Sequence, residues 1–123
     1  MRIYIAGPMR GYMFWNYEAF DRAEVQLREM GFEVVNPAAL DRVRNGHPSD
    51  WMPAADTDFS TSPSNETMQS ILLRDLAELG TCDKVGLLHG WAFSYGALAE
   101  IAFADAVGIE VLELKTLGVL TWN

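Results

Sequence analysis

Apolar and polar positions follow a regular order along most of this chain. Four short apolar runs have the length of buried strands, at residues 2–6, 32–35, 84–88 and 109–114. Two longer stretches repeat apolar residues at helical spacing, over residues 17–30 and 66–79, and a third helix is predicted over residues 96–107, between Ser94 and Gly108. Residues 116–123 are expected to add a short fifth strand or to pack on a neighbouring subunit.

Capping residues mark the ends of the predicted helices. Asn16 and Ser94 stand where an N-cap is expected, and Gly31, Gly80 and Gly108 stand where helices end. The elements therefore follow one another as β-α-β-loop-α-β-α-β. This order predicts an α/β fold: a Rossmann-like (flavodoxin-like) parallel sheet of four to five strands with helices on both faces.

One stretch, residues 41–66, has no sustained hydrophobic period. It contains three of the five prolines and the Ser/Thr/Asp-rich segment 56–65. We predict a long, partly mobile loop here, and loops of this length in a small domain are usually functional or disordered. We expect this loop to close over a substrate, with Trp51 as the apolar residue that contacts it.

Length and charge limit the classes of function. A chain of 123 residues has the size of one domain, predicted to span residues 1–123. The net charge of −8 and the lack of a basic stripe argue against polymeric nucleic acid or an anionic membrane as partner. No run reaches the ~18 apolar residues of a membrane span, so we expect a soluble, cytoplasmic protein.

Cysteine and histidine are scarce. With one cysteine no intrachain disulfide can form, and we expect Cys82 to be a small buried residue rather than a nucleophile. Two histidines are too few for a Cys/His zinc site of the usual kind. The sequence therefore predicts no metal.

The turn after the first strand is one candidate for ligand binding. In an open parallel sheet, ligands bind at the carboxyl ends of the strands, near the point where the strand order reverses. Residues 7–11 form a Gly-Pro-Met-Arg-Gly turn there, whose backbone N–H groups and Arg10 can hold a phosphate or carboxylate. The alternative is an ordinary turn with an exposed arginine. The turn matches neither a dinucleotide fingerprint nor a P-loop.

Two carboxylates are candidates for chemistry. Glu100 lies on a helix that is apolar nearly all round, where a carboxylate is costly unless it is partnered or functional; the alternative is that it points to water. Asp75 falls beside the apolar face of its helix, and its alternative is a surface salt bridge with Arg74 and Glu78. Two carboxylates beside an anion-binding turn are the equipment of an enzyme that cleaves glycosidic bonds.

Three segments carry a resemblance to a known family. The first strand and turn read Tyr-Ile-Ala-Gly-Pro-Met-Arg-Gly-Tyr over residues 4–12, Asp75 precedes the third strand, and Ser94, Gly96 and Glu100 form a Ser-x-Gly-x-x-x-Glu motif. The chain here resembles the nucleoside 2-deoxyribosyltransferase superfamily, closest to its 2′-deoxynucleoside 5′-phosphate N-hydrolase branch and that branch's small phage and bacterial relatives. The likeness covers most of the chain except residues 41–66.

The resemblance implies an N-glycosidase acting on a (deoxy)nucleoside 5′-monophosphate. Glu100 would attack C1′, Asp75 would hydrogen-bond the base or help transfer a proton to it, and Tyr4 would orient Glu100. The 5′-phosphate would be held by Gly7, Met9, Arg10, Gly11, Ser94 and Gly96. No metal or redox cofactor is implied, and a neighbouring subunit of a homo-oligomer is expected to complete the site.

Two residues depart from the branch's pattern. Pro8 replaces a small hydroxyl residue and removes one N–H donor, and Tyr12 replaces a glycine. Nearby, Trp91 and Phe93 either stack on a base or cover the site. Three alternatives stay open: a deoxyribosyltransferase that exchanges bases, a non-catalytic nucleotide-binding or sensing protein, and an interaction domain without a small-molecule site.

Overall fold

A parallel sheet forms the centre of the protein. The computed structural model describes residues 1–64 and 66–120, and within them the sheet has four strands: β1 (Arg2–Ala6), β2 (Glu33–Val35), β3 (Lys84–Leu87) and β4 (Glu110–Glu113). All pairings are parallel, in the order β2-β1-β3-β4. The strand order reverses between β1 and β3. The predicted α/β fold class with a parallel sheet is confirmed.

Alternation along β1 separates two core clusters. Ile3 and Ile5 face one side of the sheet, while Tyr4 and Ala6 face the other. The first core cluster comprises Ile3, Ile5, Trp15, Tyr17, Ala19, Phe20, Ala23, Leu27, Val34, Ala38, Leu88, Leu114 and Val119. The second comprises Tyr4, Ala6, Val35, Leu79, Cys82, Val85, Leu87, Ala97 and Ala104. The predicted burial of Cys82 is therefore confirmed.

Helices cover both faces, as predicted. Helix α1 (Tyr17–Glu29) contributes a helically spaced stripe to the first core cluster. Helices α3 (Met68–Leu79) and α4 (Tyr95–Val107) pack against the second. Within the described part of the chain, no helix is long and apolar enough to cross a membrane.

Helix α2 (Pro37–Arg44) was not predicted. Residues 41–44, expected to begin the long loop, are the last four residues of this helix, so that expectation is wrong for them. Asn36 caps it by accepting a hydrogen bond from the Ala38 N–H at 2.9 Å, and proline suits the first helical position. Asp41 and Arg42 are both buried. Because the buried side of this short helix carries charges, no apolar period marks it in the sequence.

The entry to α1 also differs from expectation. Asn16 was predicted to cap the helix, but its backbone is left-handed (φ 61°) and its side chain makes no cap hydrogen bond. Instead its Nδ2 donates to the Pro8 carbonyl at 2.9 Å. Phe14 and Trp15 are left-handed too, a conformation that costs about 1–2 kcal/mol per residue. Burial of the Trp15 ring, whose Nε1 donates to the Thr61 carbonyl at 2.7 Å, opposes this strain.

The chain after β4 forms a 3₁₀ turn (Leu114–Leu117) rather than a strand. Residues 118–120 add no strand either, so the expected fifth strand is wrong for these positions. The rest of that prediction, residues 121–123, lies outside the described residues.

Candidate active site

A cavity of about 300 Å³ opens where β1 and β3 end. This is the reversal point of the strand order, where ligands of open α/β sheets bind. Eight of the predicted site residues line the cavity: Tyr4, Gly7, Met9, Arg10, Asp75, Ser94, Gly96 and Glu100. Gly11 does not line the cavity, and its N–H is engaged elsewhere, donating to the Phe59 carbonyl at 2.6 Å.

Glu100 and Tyr4 form a buried pair at the wall of the cavity. Glu100 is 5% exposed and Tyr4 is fully buried. The Tyr4 hydroxyl donates a hydrogen bond to Oε2 of Glu100. Burial raises the pKa of Glu100 to about 8 and raises the pKa of Tyr4 well above its usual value, so Tyr4 keeps its proton and acts as the donor. Glu100 points inward, and the alternative that it faces water is wrong.

The inward direction of Glu100 follows from the sequence of α4. Ala97, Glu100 and Ala104 are spaced by three and four residues, so they share one helical face, and that face is buried. Ser94 fixes the start of the helix, because its Oγ accepts the Ala97 N–H at 3.1 Å. The predicted cap is therefore confirmed.

Asp75 reaches the same cavity from α3. Its Oδ1 accepts a hydrogen bond from Nε of Arg74 at 2.9 Å, and burial raises its pKa to about 6 although the Arg74 charge acts to lower it. The salt bridge with Arg74 exists, but both side chains are largely buried. Glu78 instead lies 3.8 Å from Arg2, so the surface cluster considered for Asp75 is wrong.

Each of these two carboxyls keeps one oxygen available to a ligand. Within the described residues, Oε1 of Glu100 and Oδ2 of Asp75 have no hydrogen-bond partner. Neither is among the fully buried unsatisfied atoms of that part of the chain, where Arg2 Nε is the one such atom. Both free oxygens are therefore accessible rather than sealed in the core.

Three glycines near the cavity have different reasons to be glycine. A Cβ on Gly7 would lie 2.8 Å from the Leu88 Cβ, so packing alone requires this glycine. Gly11 has a φ of +85°, which favours glycine. A Cβ on Gly96 would meet nothing closer than the Ser94 Oγ at 3.9 Å. The fold therefore tolerates a Cβ at Gly96, beside the N-terminus of α4, at ordinary van der Waals contact.

Arg10 is the cation that the cavity offers to an anion. The chain has nine Lys and Arg residues, and eight of them form ion pairs: Arg2, Arg22, Arg28, Arg42, Arg44, Arg74, Lys84 and Lys115. Arg10 is exposed and forms none with the residues that the structure describes. An unpaired guanidinium at the rim of an otherwise acidic cavity can bind a phosphate or carboxylate.

Pro8 and Tyr12, the two residues that depart from the resembled motif, both pack against Gly90. A Cβ on Gly90 would lie 2.8 Å from the Tyr12 hydroxyl oxygen and 3.2 Å from the Pro8 Cγ. Pro8 and Tyr12 thus hold the turn after β1 against the turn after β3. Neither offers a backbone donor to a ligand, because Pro8 has no N–H and the Tyr12 N–H donates to the Met9 carbonyl at 3.1 Å.

Aromatic residues surround the rim unevenly. Phe93 and Tyr95 line the cavity and are 88% and 92% exposed. Trp91 does not line it and packs against the second core cluster. From the long loop, Thr61, Ser62 and Pro63 reach the cavity.

Trp51 was expected to be the apolar contact of the long loop with a substrate. Instead it packs against the first core cluster, and its ring stacks on that of His47 with 3.7 Å between the ring centres.

Sequence reasoning missed one acidic residue of the site and its ion pair with Arg74. Asp41 of α2 lines the cavity, and its Oδ1 accepts a hydrogen bond from Arg74 at 2.7 Å. Both belong to an ion-pair cluster that joins α2 to α3. The one signal for Asp41 was the Asn36-Pro37 helix start. In the described chain, no group of three or more His, Cys, Asp or Glu side chains is arranged to hold a metal.

A model of one protein family matches residues 1–113, and that family is described as a domain of unknown function, DUF4406. The chain belongs to the DUF4406 family. The match includes all four helices and all four strands described above, and every residue that lines the cavity. No curated protein matches the chain. What this DUF4406 domain does must therefore be argued from the residues of its cavity.

Proposed function

We propose that this DUF4406 protein cleaves the N-glycosidic bond of a (deoxy)nucleoside 5′-monophosphate, with Glu100 as the nucleophile. One observation carries the proposal. Glu100 is a buried carboxyl with no cationic partner in the described chain, oriented by Tyr4, and its free oxygen shares a cavity with Asp75.

Such a carboxyl is expensive for the fold. Burial of a charge without an ion-pair partner destabilises a protein unless the group stays neutral. The buried carboxylate of Asp41 reduces that cost through an arginine partner, because Arg74 lies 2.7 Å from it. A costly ionisable group that faces a cavity is typical of an active site.

The proposed reaction has two steps. In the reacting form the single proton of the pair lies on Asp75 and Glu100 is ionised, which is the less populated arrangement because burial gives Glu100 the higher pKa. The free oxygen of the ionised Glu100 bonds to C1′ of the sugar while the C1′–N bond breaks, and Asp75 donates its proton to the departing base. Water then attacks C1′, the bond from C1′ to Glu100 breaks, and Asp75 takes a proton from that water. The net change is nucleotide plus water to free base plus sugar 5-phosphate.

The ends of the cavity suit the two ends of such a substrate. Arg10 and the N–H groups at the start of α4 beside Gly96, which has no side chain to cover them, form an anion-binding subsite for the 5′-phosphate. Apolar side chains that line the cavity from α1, the turn before it and α3 provide a surface for the flat base: Trp15, Phe20, Met68, Ile71 and Leu72. Pro8 has no N–H, and the Gly11 N–H already donates to the Phe59 carbonyl. Arg10 is therefore the main group of this turn that would bind the phosphate.

A second copy of the chain is proposed to cover the rim. Phe93 and Tyr95 are almost fully exposed beside the cavity, and exposed aromatic residues of this kind are enriched at protein interfaces. We expect a dimer or larger homo-oligomer by analytical ultracentrifugation. A Phe93→Ser/Tyr95→Ser variant that sediments like the parent would contradict this.

The test is a chromatographic assay for free base with a panel of nucleoside 5′-monophosphates and their unphosphorylated nucleosides. We expect release from at least one monophosphate, less from its nucleoside, and none with Glu100→Gln. Adding a second free base separates hydrolysis from exchange, because exchange yields a new nucleoside. Tight binding without release from any nucleotide would refute the proposal in favour of a nucleotide-binding protein.

A further inference from the structure

Arg74 connects two acidic residues of the cavity, and the proposed reaction does not yet use it. Its Nε donates to Oδ1 of Asp75 at 2.9 Å, and its second guanidinium nitrogen donates to Oδ1 of Asp41 at 2.7 Å. The Arg74 side chain is 9% exposed, and the two aspartates are buried to a similar degree. We infer that Arg74 is the positioning residue for Asp75: it occupies Oδ1 and directs Oδ2 to the leaving base.

The geometry of the guanidinium carries this inference. Asp75 follows Arg74 directly in α3, so the two side chains start on different sides of the helix axis. Arg74 therefore bends along the helix surface to reach Asp75, and its planar fork meets α2 through Asp41 at the same time. A group fixed by two charge-assisted hydrogen bonds has little freedom to rotate.

Asp41 is in turn held in place. The Tyr17 hydroxyl, from α1, donates to its Oδ2 at 3.4 Å, and Asn45 Nδ2 donates to its backbone carbonyl at 2.9 Å. Asp75 is thus anchored through Arg74 and Asp41 to α2 and, through Tyr17, to α1. The orientation of the proposed proton donor depends on the packing of α1, α2 and α3 together.

The charged groups around Asp75 come from every neighbouring element. They are Arg74 on α3, Asp41 and Arg44 on α2, Glu66 before α3, Glu100 on α4 and Tyr4 on β1. Arg74 is the cation in direct contact, and it lowers the pKa of Asp75, against the effect of burial. Arg44 contacts Glu66 at 3.2 Å instead, so an Arg44 variant is a matched control.

The inference rests on the proposed function, and the first readout does not need activity. Carbon-13 NMR follows the titration of the Asp75 carboxyl in the parent, Arg74→Gln and Arg44→Gln proteins. We expect a midpoint near the parent's value of about 6 to rise by about 1–3 units in Arg74→Gln, because an adjacent opposite charge is lost. The rise in Arg44→Gln should be smaller. Equal midpoints in the parent and Arg74→Gln, or equal shifts in the two variants, would overturn the inference.

The second readout is kinetic and uses Arg74→Lys. This variant keeps the positive charge, so it is expected to fold even if Arg74→Gln does not. A lysine ammonium lacks the planar fork that meets both aspartates. We expect kcat for base release to fall about ten-fold or more, since small misplacements of a catalytic group have large effects, with KM nearly unchanged. A folded Arg74→Lys protein with the parent's kcat would overturn the inference. A parent that releases no base removes the proposed function, and the NMR titration still decides whether Arg74 holds Asp75.

Discussion

Replacing Glu100 by glutamine should make the protein more stable, by an amount that grows with pH. Burial raises the pKa of Glu100 from 4.5 to about 8. The unfolded chain therefore ionises this group several pH units before the folded chain does. For a carboxyl whose pKa is raised on folding, stability is fully present below pH 4.5 and is lost as the pH rises through 8.

The size of the effect follows from the two pKa values. Between them, each pH unit removes about 1.4 kcal/mol from the free energy of unfolding. From pH 5 to pH 8 the loss due to Glu100 is about 3 kcal/mol, with the bend at the upper value included. Glutamine has nearly the same shape, accepts the Tyr4 hydrogen bond and carries no charge, so Glu100→Gln avoids this loss.

Urea unfolding at pH 5, 6, 7 and 8 measures the difference directly. These pH values stay above the sequence pI of about 4.5, where association is a risk. We expect the gap between Glu100→Gln and the parent to widen by about 3 kcal/mol across the series. Glu29→Gln, at an exposed position on α1, is the control, and its gap should stay constant because water hydrates that carboxylate in both states.

The result that refutes this reasoning is a gap that does not change with pH. It would mean that Glu100 is hydrated in the folded protein and that burial does not set its pKa. The proposed role of Glu100 as a desolvated nucleophile would fall with it.

Four further predictions test separate contacts. Base release, measured as kcat/KM against pH, should be greatest between about pH 6 and 8, where Asp75 and Glu100 hold one proton between them; a rate that rises steadily through pH 9 would contradict this. Arg10→Gln should raise KM for a nucleotide about ten-fold or more without changing the melting temperature, since Arg10 has no ion pair to lose in the described chain; an equal loss with the unphosphorylated nucleoside would argue against phosphate binding. Gly7→Ala should lower stability in urea by about 1–3 kcal/mol, because its Cβ would overlap Leu88. Gly96→Ala should fold as stably as the parent while weakening nucleotide binding by calorimetry, and an unstable Gly96→Ala protein would show that packing requires this glycine too.

The elements that could be predicted are those with an apolar run, a helical period or recognisable caps. The apolar runs of the four strands, the helical period of α1 and α3, and the residues that flank α4 located these elements to within a few residues. Helix α2 buries Asp41 and Arg42 instead, and a pattern that scores charges as exposed cannot detect it. The prediction that Asn16 caps α1 is wrong because the backbone before the helix is left-handed. This conformation accompanies the contact of Trp15 with the long loop, which no local sequence pattern indicates.

The sequence by itself determined the fold class and most of the members of the candidate site. Buried apolar runs of strand length specify a parallel sheet, and the carboxyl ends of its strands specify where Tyr4, Arg10, Asp75 and Glu100 meet.

Only the tertiary structure decided which partner each charge has. Among the residues that the structure describes, Glu100 pairs with a tyrosine and with no cation, Asp75 pairs with Arg74, and Arg10 forms no ion pair. These outcomes depend on contacts between residues far apart in the chain, where burial and a few ångströms change the energy of a charge by several kcal/mol.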